Sequence, residues 1–191
     1  FDLIWMIVLP SILGILVNEW TKGELFEQYG KPMSLVSKLC LFAIIMMTIN
    51  SVKFWLYELV GVLYEVHNEL GPGLNEKVYQ EGLRMELESH GIQYSKELSF
   101  HPKYKGKEME TEYRLDFLIN NNIIIELKAV AELSDEHRAQ LFNYMRLRKP
   151  AAGILVNFAS RSCVIERYMY DAITNEILTM EGHPISHKRY N

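Results

Sequence analysis

Between positions 113 and 128 the chain reads YRLDFLI, then NNN, then IIIELK: two β-rich runs joined by an asparagine cluster. Runs of this kind on either side of a short Asn turn are a hairpin signal. With the turn centred on Asn121, Asp116 and Glu126 are each five residues from the centre and stand opposite one another. Directly opposed residues share a face of the hairpin, with Cβ atoms roughly 5 Å apart. Lys128 is two residues past Glu126 and joins them there. Leu115, Phe117, Ile119, Ile123, Ile125 and Leu127 make the other, apolar face. Two like charges set opposite each other destabilise a sheet. A hard divalent cation between them reverses that sign. A charged hairpin face ordinarily means only a wet one, but Leu118 and Ile124 lie on the acid face here. A covered carboxylate needs a partner.

The rest of the composition sets bounds. The chain has 191 residues, 49% hydrophobic and 23% charged, enough for one ordinary domain plus an appendage. A net charge of −4 argues against tight, nonspecific capture of nucleic acid by bulk charge, while leaving room for a local basic groove. The two cysteines, Cys40 and Cys163, lack metal-ligand spacing and read as free thiols in a reducing compartment, which suits the cytoplasm.

The first fifty residues differ from the remainder. Leu3 to Val17 and Leu39 to Ile49 are apolar runs, separated by a polar stretch from Asn18 to Lys38. Each is shorter than the roughly 20 residues of a transmembrane helix. Three readings fit residues 1–52: a membrane hairpin or anchor making contact through residues 1–49, a leader remnant without a basic n-region, or an extension outside the domain. The chain opens on Phe1 rather than Met, which suits a fragment or a misplaced start.

From about residue 53 to 178 the pattern is that of an α/β domain, followed by a polar tail over 179–191. Leu59, Val60, Leu63, Val66 and Leu70 fall at helical spacing, and Gly71-Pro72-Gly73 ends that helix. A second helix runs from Asn75 to about His90, with Gly91 at its C-cap. Strands are expected at Tyr94–Tyr104, Glu108–Ile119 and Ile123–Lys128. A helix from Ser134 through Leu147 follows, ended by Pro150, and then strands at Gly153–Phe158 and Cys163–Tyr170. The order ααβββαββ predicts a mixed sheet covered by helices. Gln140 and Tyr144 are four apart and share a face of the helix that follows the Glu126–Lys128 strand.

Asp116, then Glu126-Leu127-Lys128, then Gln140-x-x-x-Tyr144 resembles the PD-(D/E)XK nuclease superfamily, in particular its RecB-related branch with a Gln-x3-Tyr element. Gly73-Leu74-Asn75-Glu76-Lys77-Val78-Tyr79 looks like the motif that names the GxxExxY family within it. The resemblance covers roughly Leu56 to Tyr170 and leaves the first fifty residues without a counterpart. Leu115 stands where the superfamily name has Pro.

The resemblance implies a restriction-endonuclease-like mixed sheet flanked by helices, preceded by the apolar N-terminal helical segment. It also implies cleavage of phosphodiester bonds, most naturally in DNA, with Mg2+ or Mn2+. Asp116, Glu126 and the Leu127 backbone carbonyl would hold the ion, with Glu76 as a further metal or water ligand. Lys128 would act on the attacking water or the developing charge. Gln140 and Tyr144 would orient these groups or touch the nucleic-acid backbone. His67 is the alternative helical metal ligand, against an ordinary packed histidine bonded to a backbone carbonyl. Glu65 and Glu69 read as a solvated helix face, Gly73 and Tyr79 as structural. A nuclease fold that binds nucleic acid or a protein without cutting, with or without a membrane tether, is the competing function.

Overall fold

The computed structural model describes residues 35–185. The chain divides into two compact units, Phe1–Trp55 with Ala172–Thr174, and Leu56–Asp171 with Asn175–Asn191. Helix α1 spans Leu35–Leu70 and α2 spans Glu76–Ser89. Strands β1 (Tyr94–Phe100), β2 (Lys103–Tyr104), β3 (Lys107–Glu108), β4 (Tyr113–Ile119) and β5 (Ile123–Lys128) follow. Then come α3 (Asp135–Arg148), β6 (Ala152–Asn157), β7 (Val164–Asp171) and β8 (Glu176–Leu178).

In the second unit the apolar stripe of α1 is buried at Leu56, Leu59, Leu63 and Val66, one residue every three or four as a core-facing helix requires. Asn75 caps α2, its side chain accepting from the Val78 amide at 3.2 Å. Gly91 follows with φ +64°, the left-handed conformation that a glycine takes without strain.

The main sheet has six strands in the order β1-β4-β5-β6-β7-β8. Only β5 and β6 run parallel; every other neighbouring pair is antiparallel. The parallel pair exists because α3 carries the chain from the end of β5 back to the start of β6. Ser134 stands at the N-cap of α3, and Lys149 ends it with φ +53° just before Pro150. Gly153 lets α3 sit down on β6, since a Cβ there would lie 2.6 Å from Met145 Sδ. Under α3, Leu118, Ile124, Leu141, Phe142, Tyr144, Met145 and Leu155 form a buried cluster.

Three expectations need correcting. The strands expected over Tyr94–Tyr104 and Glu108–Ile119 are both broken, because β2 and β3 pair only with each other: β1 ends at Phe100 and the chain resumes as β4 at Tyr113. The short edge strand β8 was not foreseen. Beyond it Leu178 bridges Pro184 and the Ile185 amide donates to the Ile177 carbonyl, so the tail stays tied to the sheet as far as residue 185. Third, Leu115 does not share a face with Phe117. It packs with Leu118 and Ile124 under α3. Residues 115 and 118 on one face mean that the two-residue alternation slips between them. The β1–β4 ladder shows where: it pairs Lys96 with Phe117 and Leu98 with Leu115, and skips Glu97 and Asp116. Glu97 takes φ +48°, a strained value for a non-glycine residue.

Among the described residues no helix is long and apolar enough to cross a membrane. The second apolar run, 39–49, lies within α1. The first, 3–17, lies outside the described residues, as does much of the proposed membrane contact.

Candidate metal centre

The hairpin is built as its sequence dictates. Asn120 and Asn121 take left-handed φ values of +48° and +55°, which Asn tolerates better than other side chains do. The Asn122 amide closes on the Ile119 carbonyl at 2.9 Å. The pairing runs Ile119–Ile123, Leu118–Ile124, Phe117–Ile125, a register whose next step would pair Asp116 with Glu126. The ladder stops one step short of that pair. Instead the Leu127 amide donates to Asp116 Oδ2 at 2.8 Å. The strand irregularity noted on the β1 side therefore falls on the same residue, Asp116, on both of its flanks. Interruptions of this kind re-aim a side chain and concentrate at active sites.

Asp116 is fixed at both oxygens, because Gln80 of α2 donates to Oδ1 at 3.1 Å. Glu126 is 2% exposed. Its Oε1 accepts from Lys128 Nζ at 2.8 Å, and its Oε2 is buried with no hydrogen-bond partner. Burial, and then the Asp116 charge, push the Glu126 carboxyl up to about 8, against the pull of Lys128. Burial also raises Asp116, opposed by the Leu127 amide and Lys128. Glu76, half-buried in the first turn of α2, is raised by burial against the attraction of Lys128, with Asp116 adding to the rise. Lys128 is itself raised: burial works against its charge, but Glu126, Asp116 and Glu76 outweigh it. These mutual effects bring Glu76, Asp116, Glu126 and Lys128 into one electrostatic site on three elements, α2, β4 and β5.

Gln140 donates to the Tyr144 hydroxyl at 2.9 Å, and Tyr144 is 6% exposed. Burial raises the Tyr144 phenol, with Glu126 and Asp116 adding to the rise, so it borders the same site as a neutral donor. The N–H and C=O of one strand residue point toward the same neighbouring strand. The Leu127 carbonyl is therefore aimed to the side on which its amide meets Asp116. His67 is placed differently. It is buried, its Nε2 lies 3.0 Å from the Ser160 carbonyl, and its ring stacks on Phe158 with centroids 6.3 Å apart.

Three supporting residues were not singled out from sequence as part of the site. Gln80 lies four residues after Glu76, on the same face of α2, and that spacing is the signal that could have found it. Asn157 pairs with Lys128 across the parallel ladder. It is 1% exposed and grips the segment after Lys128, accepting from the Val130 amide at 3.1 Å and donating to the Val130 carbonyl at 2.7 Å. A polar residue closing the apolar strand AGILVN marks it. Phe158 stacks on Tyr79 at 4.7 Å. The Tyr79 hydroxyl then donates to the Gly71 carbonyl at 2.7 Å and accepts from the Leu74 amide at 3.1 Å. Tyr79 thus latches the turn that delivers Glu76, with its ring wholly buried, in keeping with a structural role.

The donor set fits a hard divalent cation. It is composed of carboxylates and a carbonyl, the oxygen ligands such ions take. Within it, Glu126 Oε2 is a buried acceptor with nothing to accept from. A second acidic grouping, Glu65, Glu86 and His90, brings ligand atoms within 4.8 Å of one another on the helices.

A family model for the PD-(D/E)XK nuclease superfamily matches residues 53–168. The crystal structure of SSO0001 is similar to this chain at a TM-score of 0.41 and 23% sequence identity, over 52% of this chain and 54% of that one. The chain thus spans about half that protein's length. No curated protein matches.

Proposed function

The chain belongs to the PD-(D/E)XK nuclease superfamily, and from that premise we propose that it is a divalent-metal-dependent nuclease hydrolysing phosphodiester bonds, with DNA as its substrate and Mg2+ or Mn2+ as its ion. Gly73, Glu76 and Tyr79 support the narrower assignment to the GxxExxY family. The observation that carries the proposal is Glu126: a carboxylate 2% exposed, one oxygen on Lys128 and the other without a partner, beside two further acids. A protein that leaves a buried acceptor unsatisfied bears a cost of about 1–3 kcal/mol. A cation recovers it.

Asp116, Glu126 and the Leu127 carbonyl would hold that ion, and Glu76 rather than His67 would complete the set, since His67 is engaged by Ser160. The ion supplies Lewis-acid chemistry, polarising a phosphoryl oxygen and acidifying water. Lys128 is kept charged by the surrounding acids and places a positive charge where negative charge develops during cleavage. Gln80 and the Leu127 amide hold Asp116 still. Gln140 aims the Tyr144 hydroxyl, which as a neutral phenol donates to the backbone of the bound strand.

The test is cleavage of single- and double-stranded DNA and of RNA with Mg2+ or Mn2+, wild type against Lys128→Ala. Wild type should cut only with metal, and the variant should lose about 100- to 1,000-fold, the usual effect of removing one transition-state donor. A wild type that cuts no better than Lys128→Ala under all these conditions sinks the proposal. Retained nucleic-acid binding without turnover would then identify a silent nuclease fold.

A further inference from the structure

The site just described repels its own substrate, since three carboxyl groups face a polyanion and the chain as a whole carries a net charge of −4. A positive grip must come from elsewhere on the surface. We propose that the β2–β3 hairpin is that grip: its tip, Lys105 and Lys107 on either side of Gly106, binds backbone phosphates of the nucleic acid beyond the bond being cut. The inference rests on the nuclease reading of the metal centre and adds a substrate-binding surface to it.

Four observations carry it. Every residue from 103 to 110 is exposed. Lys103 faces the carboxylate of Glu108 across the hairpin register, though with no ion pair, whereas Lys107 faces Tyr104 and Lys105 lies in the turn. Among the described residues neither Lys105 nor Lys107 has an ion pair. Tyr104 leaves 65% of its surface in water, with Lys105 Nζ 5.5 Å from its ring centroid. Cations interleaved with an exposed aromatic ring are the chemistry that tracks a nucleic-acid strand, through phosphates and through the face of a base.

The fourth observation is placement. The Met109 amide donates to the Pro102 carbonyl at 2.9 Å and closes the base of the hairpin. Beneath it Phe100 and Tyr113 stack at 5.7 Å, and Tyr144 meets both edge-on at 6.2 and 5.9 Å. Tyr144 borders the metal centre, and Asp116 lies three residues along β4 from Tyr113. The hairpin therefore rises from the end of the sheet that carries the acids, on a packed aromatic footing. A strand lying across the metal centre and continuing over Tyr144 would run onto its tip.

The experiment is steady-state cleavage of a labelled DNA oligonucleotide in Mn2+ by the full chain over a range of KCl concentrations, with single-strand and duplex arms. Neutralising the tip with Lys105→Gln and Lys107→Gln should raise KM by about tenfold at low salt and reduce the slope of log KM against log salt by about 1.4–1.8, two phosphate contacts at 0.7–0.9 each. Lys103→Gln should change that slope by less than about 0.5, because Lys103 lies at the base of the hairpin opposite the acidic Glu108 rather than at its tip. The turnover number at saturating substrate should stay within about twofold, since neither lysine reaches the acids. A double variant with the wild-type KM and slope, in a system where wild type cuts, overturns the hairpin proposal alone. A wild type that neither binds nor cuts nucleic acid overturns it together with the nuclease reading.

Discussion

The molecule holds two acidic groupings, and they are built on opposite physical terms: among the described residues only the helical one brings three ligand atoms within 4.8 Å of one another. Glu65, Glu86 and His90 converge within 4.8 Å, but Glu65 and His90 are exposed, and His90 Nε2 already lies 3.0 Å from Glu65 Oε2. Water solvates these groups, and nothing is gained there by an ion that water does not already supply. In the set at Glu76, Asp116 and Glu126, Glu126 is buried and the other two partly so; the three repel one another, and Glu126 is short of one partner. Removing charges from water without full compensation is costly, and the cost here is met only in part by Lys128. Convergence of ligand atoms is common on protein surfaces. Burial and an unmet acceptor are what distinguish a site from a cluster.

The largest expected effect breaks or confirms this contrast directly. In a calorimetric titration with Mn2+, Glu126→Gln should weaken binding by at least about 100-fold, beyond the range seen for residues that only support a ligand. Glu65→Gln and His90→Ala should leave affinity within about twofold of wild type. If the helical variants abolish binding and Glu126→Gln does not, the two groupings have been assigned the wrong way round.

A pH series sharpens it. Without metal, the Glu126 carboxyl titrates near 8 when folded, against an ordinary value of 4.5. Between those values the folded chain keeps a proton that the unfolded chain gives up. Stability must then fall as pH rises across that window, being fullest below 4.5 and lost by about 8. Asp116 and Glu76 are raised too and act with the same sign. Thermal midpoints in EDTA should therefore decline from about pH 5 to about pH 8, and Glu126→Gln should flatten the decline. With metal present the dependence inverts, because binding displaces the proton and strengthens as pH rises. A decline that survives in Glu126→Gln but vanishes in Glu65→Gln would place the titrating group on the helices instead.

The hairpin and its register were legible in the sequence because both are local. Three asparagines define the centre, and period-two alternation does the rest from Phe117 to Lys128. The α3 helix, with Ser134 at its start and Pro150 beyond its end, was legible for the same reason. Leu115 was misplaced because the slip at Asp116 is enforced from outside the hairpin, by Glu97 on β1, nineteen residues upstream. Strand β8 is three residues long, too short for alternation to show. Of the site, the acids and Lys128 declare themselves by charge on a β-rich segment. Gln80 does not, since an amide on a helix is ambiguous until its partner 36 residues away is brought to it.

Gln80 supplies the smallest and most discriminating comparison. One turn further along α2, Arg84 makes shorter bonds, 2.7 Å to Glu81 and 2.7 Å to Glu88, both of which are exposed. By distance alone Arg84 is the stronger interaction. Yet its partners are free to turn to water, whereas Asp116, among the described residues, is held in direction by the Gln80 amide and the Leu127 amide. Gln80→Ala should therefore lower Mn2+ affinity by about tenfold, at the low end of what orienting residues contribute. Arg84→Ala should leave metal affinity unchanged. Gln80→Glu separates orientation from simple packing: it preserves the volume but sets a second negative charge against Asp116, which raises the Asp116 carboxyl further and moves the pH at which metal binding reaches half its limit upward. A merely structural Gln80 would show the alanine loss in thermal midpoint while that pH stayed fixed in the glutamate variant.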